Sequence, residues 1–257
     1  MTDISLPTVP VPKNEPLRSY APGSEDAAKL KAALDKMLGE CPDVPIVING
    51  LEIHTSAKQA QVCPADHKHV LCHFSVATPE LVKEAIDSAL AAKAKWEALE
   101  WPHRLGIFLK AADLLATKYR YEVNAASMLG QGKTVWQAEI DSACEAIDFL
   151  RFNPKYAEQL YQTQPPENSA TCWNRVEYRP LEGFVWALTP FNFAAIGVNL
   201  AASPAMMGNV VLWKPSSTAV LSNYIMFCVL REAGLPDGVI NFVPGSGAMM
   251  GDVILSH

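Results

Sequence analysis

The feature that most constrains this chain is a long uncharged stretch, because no charged side chain lies between Glu182 and Lys214. About 20 predominantly apolar residues are enough to cross a bilayer, so a membrane helix is one interpretation. The stretch is broken by proline, glycine and asparagine, and it lacks the basic and aromatic flanks of a membrane span. We therefore interpret it as buried strands and helices, with no membrane span. The interrupting residues are Pro190, Asn192, Asn199, Pro204, Gly208 and Asn209.

The punctuation of this stretch predicts a repeating order of strand and helix. The predicted elements are a strand at 184–188, a loop at 189–193, a helix at 194–202, a turn at Pro204, a strand at 209–213, a helix at 218–233, a strand at 239–243 and a helix from Gly247. Strands that are apolar throughout are typical of a parallel sheet with both faces covered. We predict an α/β fold with an incomplete Rossmann-like doubly wound parallel sheet, whose ligands lie in the loops after the strands.

Composition excludes several classes of protein. The chain has 257 residues, 49% of them hydrophobic, which is ample for a core, and its formal net charge is -6. A negative balance offers no basic surface for nucleic acid, so we exclude a nucleic-acid partner. The cysteines at positions 41, 63, 72, 144, 172 and 228 form no C-x-x-C pair. We expect free thiols and no disulfides.

The chain before the apolar stretch divides into three predicted parts. Residues 1–43 combine a proline-rich extended arm with a helix after Ser24, and no secretory signal or Arg-rich presequence is visible. Residues 44–170 are predicted to form a β-hairpin region, with a turn at Asn49 and Gly50, followed by long amphipathic helices, the third with a stripe beginning at Trp136. Residues 171–182 alternate polar and apolar side chains, which predicts an exposed strand that pairs across a subunit interface.

Two clusters resemble known sites but are better explained as ordinary turns. Cys63, His67, His69, Cys72 and His73 lack the spacing of structural zinc ligands, and a hairpin tip at 66–69 would point alternating side chains in opposite directions. We predict no metal.

The segment GQGKT at 130–134 ends like a phosphate-binding loop. The motif requires glycine where Ser127 stands, and the residues before it have a helical pattern instead of a strand pattern. We predict a turn between helices, with glycine supplying unusual backbone angles.

Several separate segments together resemble one family. TPFNF at 189–193, GNVVLWKPS at 208–216 and REAGLP at 231–236 are similar to the aldehyde dehydrogenase superfamily. GQGKT at 130–134, QAEID at 137–141 and FLRFN at 149–153 resemble its L-glutamate γ-semialdehyde (Δ1-pyrroline-5-carboxylate) dehydrogenase branch. The resemblance runs from about Asn14 to the last residue and covers roughly the first half of the family's chain. Residues 183–257 would then be the first half of the NAD-binding domain.

The resemblance implies oxidation of glutamate γ-semialdehyde to glutamate in proline catabolism, with NAD as cofactor. In the family, a cysteine attacks the aldehyde and a glutamate activates water, and both segments are expected beyond His257. The chain by itself is therefore expected to oxidise no aldehyde, and the unpaired apolar edge of its half-built sheet is expected to make it poorly soluble or dependent on a partner. The alternative is a truncated, noncatalytic form that binds a dinucleotide or a partner.

The resemblance assigns Asn192 as the catalytic residue that stabilises the developing oxyanion. An amide NH2 is a neutral donor suited to this task. From the residues alone, a helix cap is the favoured role for an asparagine here, and the resemblance reverses this preference, although the two roles are compatible.

Further roles also follow from the resemblance. Lys214, at the end of a buried strand, would donate to the adenosine ribose of NAD, because a buried ammonium requires a partner. Ser217 stands where many relatives have an acidic residue, which leaves the choice between NAD and NADP open. The segment GSGAMMG at 245–251 is expected to begin a helix near the adenine. The expected cofactor-binding residues are Thr189, Pro190, Phe191, Lys214, Ser216 and Ser217, and the expected substrate-binding residues are Glu145 and Phe193.

A homo-oligomer is expected, in the mitochondrial matrix of a eukaryote or otherwise in the cytoplasm.

Overall fold

The computed structural model describes residues 7–257, and the first residues of the predicted arm lie outside the described residues. Helices and strands of these residues form one α/β fold, as the sequence predicts. The helices are α1 (Glu25–Gly39), α2 (Pro79–Ala98), α3 (Trp101–Leu114), α4 (Arg120–Gln131), α5 (Val135–Ala138), α6 (Glu145–Gln162), α7 (Ala194–Met206), α8 (Val220–Ala233) and α9 (Gly247–Leu255). Two π-helical segments, Leu115–Tyr119 and Glu139–Cys144, join α3 to α4 and α5 to α6.

The strands form two sheets. They are β1 (Asp43–Val44), β2 (Ile46–Ile48), β3 (Leu51–Ile53), β4 (Lys58–Cys63), β5 (Asp66–Ser75), β6 (Val185–Leu188), β7 (Val211–Lys214) and β8 (Ile240–Phe242). The smaller sheet has the order β1-β5-β4, and the larger has the order β3-β2-β8-β7-β6. The β2–β3 turn lies at Asn49 and Gly50, both with positive φ, which confirms the predicted turn.

The larger sheet is mixed: the strands of residues 183–257 are parallel, as predicted, and an antiparallel hairpin that was not expected to join them extends the sheet. β6, β7 and β8 are parallel, but β2 pairs antiparallel with β8 and brings β3 with it. The hairpin of residues 46–53 therefore belongs to the same sheet as the predicted NAD-binding unit. At the other edge, β6 pairs with β7 on one side and has no strand on its outer side within residues 7–257, and Leu188 there is 51% exposed. The apolar edge expected from the sequence is therefore at β6.

The core of this sheet is aromatic. Trp213 of β7 and Phe242 of β8 are fully buried and meet edge to face with their centroids 5.5 Å apart. Phe227 of α8 stacks on Phe242 at 5.4 Å, which fixes α8 against one face of the sheet. Trp96 of α2 donates its indole N–H to the carbonyl of Ala205 at 2.9 Å and so ties α2 to the end of α7.

The predicted turn at Pro204 is wrong, because α7 continues through this proline to Met206. A proline in the last turn of a helix removes a single backbone donor, the one that would reach the carbonyl of Leu200. Leu200 is 43% exposed, so water can replace that hydrogen bond. The chain turns instead at Gly208, whose φ of 88° lies in the region that favours glycine.

Two other local predictions also need correction. The hairpin tip predicted at 66–69 lies earlier in the sequence, at Pro64 and Ala65. Residues 66–69 belong to β5. Trp136, predicted to begin the buried stripe of the third helix, is 56% exposed. Trp136 precedes the π-helical segment Glu139–Cys144, whose extra residue changes the angle of Trp136 relative to the apolar stripe that follows.

The turn after α4 agrees with the prediction made for 130–134. Gly132 caps α4 in the left-handed conformation, with φ at 66°. Thr134 and Gln137 then form a capping box that begins α5. The segment that resembles a phosphate-binding loop is therefore a turn between two helices.

The predicted interface strand at 171–182 is not a strand within the described part of the chain. Its backbone is irregular there except for one bridge between Ser169 and Cys172. Trp173 is 81% exposed and Leu181 is 65% exposed. Pairing with another subunit stays a prediction. No helix in the described residues has the length and apolarity that a membrane span needs.

We expect Gly197→Ala to destabilise the chain. A Cβ at position 197 of α7 would lie 2.0 Å from Oδ1 of Asn223, which is fully buried on α8 and held by its amide to the carbonyl of Ala219 at 2.6 Å. Overpacking of this kind costs about 1 to 3 kcal/mol, more than the roughly 1 kcal/mol that alanine gains over glycine in a helix. Urea unfolding measures the free-energy difference.

Gly251→Ala is the matched control for this change. A Cβ at position 251 of α9 would meet only the ring of Trp186, at an ordinary 3.8 Å. This variant should be as stable as the parent chain or more stable. Equal unfolding midpoints for the two variants would contradict the proposed close approach of α7 and α8.

Candidate functional site

Three loops meet at one edge of the larger sheet, where the parallel strands end. Leu188 is in register with Lys214, and Trp213 is in register with Phe242, so β6, β7 and β8 end side by side. The loops at 189–193, 215–219 and 243–246 follow these ends. In an open α/β sheet, this is the edge at which ligands bind. All of the predicted cofactor-binding residues lie in or next to these loops.

Lys214 ends β7 with a side chain that is buried but incompletely bonded. The residue is 8% exposed, and its ammonium donates to the carbonyl of Pro215 at 2.9 Å. An ammonium has three donors, and no carboxylate within residues 7–257 forms an ion pair with this one. Burial lowers the pKa of Lys214. The remaining donors fit neutral acceptors such as the hydroxyl groups of a ribose.

The neighbourhood of Lys214 leaves room for such a group. Gly247, the first residue of α9, faces the lysine, because a Cβ there would lie 3.8 Å from its Cε. The segment 245–251 therefore begins a helix beside Lys214, where a side chain at position 247 would narrow the space. The role of this segment toward an adenine stays a prediction.

The other predicted cofactor-binding residues surround this edge in different ways. Thr189 is buried, and its hydroxyl accepts from the indole of Trp213 at 3.2 Å. Phe191 is 65% exposed, Pro190 and Ser216 are half-buried, and Ser217 is exposed. The hydroxyl of Thr189 is thus occupied within the protein, and that of Ser216 is bonded to the hydroxyl of Thr218 at 3.2 Å, whereas Phe191 and Ser217 are exposed to a ligand.

Asn192 is not a helix cap, which corrects the alternative drawn from the residues alone. The N-cap of α7 is Phe193, and no side chain caps this helix. Asn192 is exposed in the loop just before it. The Asn192 amide therefore does not cap α7, and capping was the structural role that the residues alone suggested in place of ligand binding.

Glu145 and Phe193, the two predicted substrate-binding residues, line one groove of about 850 Å³ between the arm, α6 and the start of α7. We call it the acidic groove, because Glu15, Asp141, Glu145 and Asp148 all line it. Asn192 is not among its lining residues, although it adjoins Phe193.

The acidic groove contains a carboxylate in an unusual state. Burial raises the pKa of Glu145, and the nearby Asp141 carboxylate raises it further. Lys133 opposes this shift but is itself paired with Asp141 at 2.8 Å. Glu145 forms no ion pair with any residue from 7 to 257, so a cation from outside would be favourable beside it.

Lys133 is the residue at this site that sequence reasoning missed. Its ammonium lies 4.3 Å from the centre of the Phe193 ring, a cation–π contact that holds the aromatic side of the groove. The segment 130–134 was correctly interpreted as a turn, but that interpretation assigned its lysine no function. The only available signal was the similarity of the GQGKT segment to the L-glutamate γ-semialdehyde dehydrogenase branch.

Most of the cysteines lack the exposure and the lowered pKa of an activated nucleophile, whereas Cys41 is exposed beside a histidine. Cys63, Cys72 and Cys144 are buried, and burial raises the pKa of Cys72 and of Cys144 to about 12. Cys228 is half-buried with a raised pKa, again from burial. Cys41 is exposed with its sulfur 3.5 Å from Nδ1 of His73. Within residues 7–257, no three metal-ligating side chains converge.

Comparison with known proteins adds to this geometry. The model of the "Aldehyde dehydrogenase family" matches residues 53–257. The chain belongs to the aldehyde dehydrogenase family. This confirms the resemblance drawn from the segments at 189–193, 208–216 and 231–236.

The chain is also similar to individual members of this family. It is 54% identical over 257 residues to the mitochondrial delta-1-pyrroline-5-carboxylate dehydrogenase of Dictyostelium discoideum, covering 100% of this chain and 46% of that protein. It is 49% identical over 243 residues to the mitochondrial enzyme of the same name from Homo sapiens, covering 95% of this chain and 43% of that protein. The chain thus spans about half the length of these curated relatives.

A solved structure has nearly the same fold. The Δ-pyrroline-5-carboxylate dehydrogenase of Mycobacterium tuberculosis, bound with NAD, superposes with a TM-score of 0.97 at 44% identity. The match covers 99% of this chain and 48% of that one. The arm, both sheets and the helices therefore occur in the same arrangement in that relative.

We expect Glu145→Gln to stabilise the chain at neutral pH. The raised pKa means that the folded state holds this proton more tightly than the unfolded state, so the ionised carboxylate destabilises the fold as pH rises above its ordinary value near 4.5. Glutamine removes this penalty and keeps the shape. The melting temperature of the variant should exceed that of the parent at pH 7, and the two should converge below pH 4.

Asp148→Asn serves as the comparison, because this carboxylate lies in the same groove but accepts hydrogen bonds from the arm at 2.6 and 2.7 Å. Its loss should lower the melting temperature at pH 7. A stability difference between Glu145→Gln and the parent that is independent of pH would contradict the assignment of the effect to ionisation.

Proposed function

We propose that the complete protein containing this chain oxidises L-glutamate γ-semialdehyde to L-glutamate in proline catabolism, with NAD as the hydride acceptor. Similarity over the full chain to relatives of that name supports this choice within the family. The mitochondrial relatives support a location in the mitochondrial matrix. A homo-oligomer, paired through residues 171–182, belongs to the same proposal.

The observation that carries the choice of substrate is the unpaired, half-buried carboxylate of Glu145. An amino-acid aldehyde brings an ammonium group, and this cation can neutralise a carboxylate that the chain itself leaves without an ion pair. Phe193 supplies an apolar wall for the short carbon chain between the ammonium and the aldehyde. A simple aliphatic aldehyde would leave Glu145 buried and without a partner.

The residues at the strand ends would hold and orient the cofactor. Lys214 would donate its free N–H groups to ribose hydroxyls, and its shielded position would keep water from competing for them. The loop residues Thr189, Pro190 and Phe191 would border the nicotinamide half, and Ser216 and Ser217 would border the adenosine half. Asn192 would donate its amide N–H to the aldehyde oxygen while charge develops there.

A direct test compares two aldehydes with the complete enzyme. NADH formation from glutamate γ-semialdehyde should be at least about 10²-fold more efficient, in kcat/KM, than from a straight-chain aldehyde without the amino-acid end, because a site built for polar groups discriminates strongly against analogues that lack them. Equal efficiency for the two aldehydes, or no NADH from either, would sink the proposal.

Lys214→Ala should raise the KM for NAD by about tenfold or more, because losing hydrogen bonds from a charged donor costs about 1.5 to 3 kcal/mol. Turnover at saturating NAD should change less. Lys93→Ala is the control, since Lys93 pairs with Glu97 at 2.6 Å on α2. An unchanged KM for NAD in the Lys214 variant would remove this residue from the cofactor site.

Asn192→Ala should lower kcat by about 10² to 10³, the typical loss for one oxyanion donor. The KM for NAD and the melting temperature should stay near those of the parent, since the Asn192 side chain caps no helix. Steady-state kinetics and a thermal melt on the same preparation give both quantities. A drop in melting temperature with normal turnover would show instead that Asn192 supports the fold.

A further inference from the structure

The N-terminal arm, residues 7–24, supplies one side of the acidic groove. Asn14, Glu15 and Leu17 line the groove together with Glu145 and Phe193. The arm comes from the start of the chain, whereas the other two residues lie on α6 and before α7. A wall from so remote a segment has to be anchored if it is to shape a binding site.

The backbone of the arm is anchored by carboxylates. The N–H of Glu15 donates to Asp148 at 2.7 Å, and the N–H of Arg18 donates to Glu139 at 2.8 Å. The amide of Asn14 adds a second bond to Asp148 at 2.6 Å. Terminal segments are usually poorly ordered unless they are tied down. This segment is held in place where it lines the groove, because Asn14 and Glu15 bond there to Asp148.

Glu15 is the strongest of these anchors. Its side chain is only 6% exposed, and one oxygen lies 2.5 Å from Nη1 of Arg120 while the other lies 2.7 Å from Nη1 of Arg151. Two guanidinium groups therefore hold one carboxylate from two sides. Charge-assisted bonds of this kind are short and directional, so they set the position of the arm as well as its attachment.

Arg120 connects this anchor to the opposite side of the groove. It is fully buried and donates to Glu15 and Glu139, to the carbonyl of Pro16 at 2.9 Å and to the sulfur of Cys144 at 3.2 Å. Glu139 is also fully buried. A buried charge without its partner is strongly destabilising. The arm, which carries Glu15, and the π-helical segment, which carries Glu139, must therefore both pack against Arg120.

Glu139 and Cys144 are the first and last residues of a π-helical segment, and Glu145 follows it directly. π-helical turns inside longer helices are frequent at functional sites. Arg120 contacts both ends of the segment, and it also contacts Glu15 on the arm. The same guanidinium therefore fixes the spacing between the arm and the carboxylate at position 145.

We propose that the N-terminal arm is a specificity wall of the substrate groove and that Glu15, clamped by Arg120 and Arg151, is the positioning residue that holds it there. This inference rests on the proposed function, since it concerns the amino-acid end of the aldehyde substrate. Glu15 is paired with its two arginines, Asp141 is paired with Lys133, and Asp148 accepts hydrogen bonds from the arm. Glu145 is therefore the carboxylate of the groove that meets the substrate. The arm thereby fixes the place of the amino-acid end beside Glu145, and an aldehyde without that end gains nothing from this placement.

The test uses the complete enzyme and the variants Glu15→Gln, Leu17→Ala and Glu232→Gln. Glu15→Gln removes the clamp with little change of shape, and Leu17→Ala trims a half-exposed side chain of the wall that the fold does not need. Glu232→Gln makes the same chemical change in a carboxylate that binds Lys118 at 2.7 Å and does not line the groove. For each, KM and kcat are measured with glutamate γ-semialdehyde and with a straight-chain aldehyde, together with tryptic cleavage after Lys13 and Arg18.

Glu15→Gln should raise the KM for glutamate γ-semialdehyde at least fivefold, with kcat, the KM for NAD and kinetics on the straight-chain aldehyde within twofold of the parent. Cleavage of the arm should accelerate at least tenfold. Leu17→Ala should raise the same KM about threefold without faster cleavage, and Glu232→Gln should change neither quantity.

Unchanged KM values in both arm variants, or equal losses for the two aldehydes, would overturn the inference. If Glu15→Gln fails to fold, the result for Leu17→Ala decides. Parent enzyme that oxidises no amino-acid aldehyde would refute the proposed function instead, and the cleavage rates would still report whether Glu15 anchors the arm.

Discussion

The parallel pairing of β6, β7 and β8 is the constraint on which the rest of this structure depends. Because Leu188 and Lys214 lie opposite each other, the loops after β6 and β7 must begin at the same edge of the sheet. β8 brings the start of α9 to the same place. Residues as distant in sequence as Thr189 and Gly247 thereby share one site. The position of the site therefore follows from the hydrogen-bond register of the sheet.

A second constraint is electrostatic and concerns the buried ion pairs of Arg120. A buried guanidinium at Arg120 is stable only with buried carboxylates around it, and these are Glu15 of the arm and Glu139 of the π-helical segment before α6. Burial by itself raises the pKa of Glu139, but hydrogen bonds from Arg120, Tyr20 and the arm outweigh it and lower the pKa. Burying these charges without their partners would cost a large desolvation free energy, so the arm packs against the helices that carry Arg120 and Arg151.

The sequence was a good guide where the local pattern and the tertiary environment agree. The apolar runs at 184–188 and 209–213 correspond to β6 and β7 within two residues, because short apolar runs bounded by turn residues are typical of sheet strands. The predictions failed where residues far away in the sequence determine the local structure. Pro204 did not end α7, and the hairpin of residues 46–53 joined the larger sheet. For the site, Glu145 and Phe193, which are expected to bind substrate, line one groove in the structure, and their role stays a prediction. The bonds of Arg120 had no local signal in the sequence.

The sequence by itself determined the family, the α/β order of elements and the segments from which the site is built. These depend on hydrophobic period, on glycine and proline at turns and on short motifs, all of which are local properties of the chain. Only the tertiary structure decided that Asn192 caps no helix, that Lys214 is buried with free donors and that the arm forms a wall beside Glu145. Hydrogen-bond satisfaction and desolvation decide these features, and both depend on neighbours that are far away in sequence.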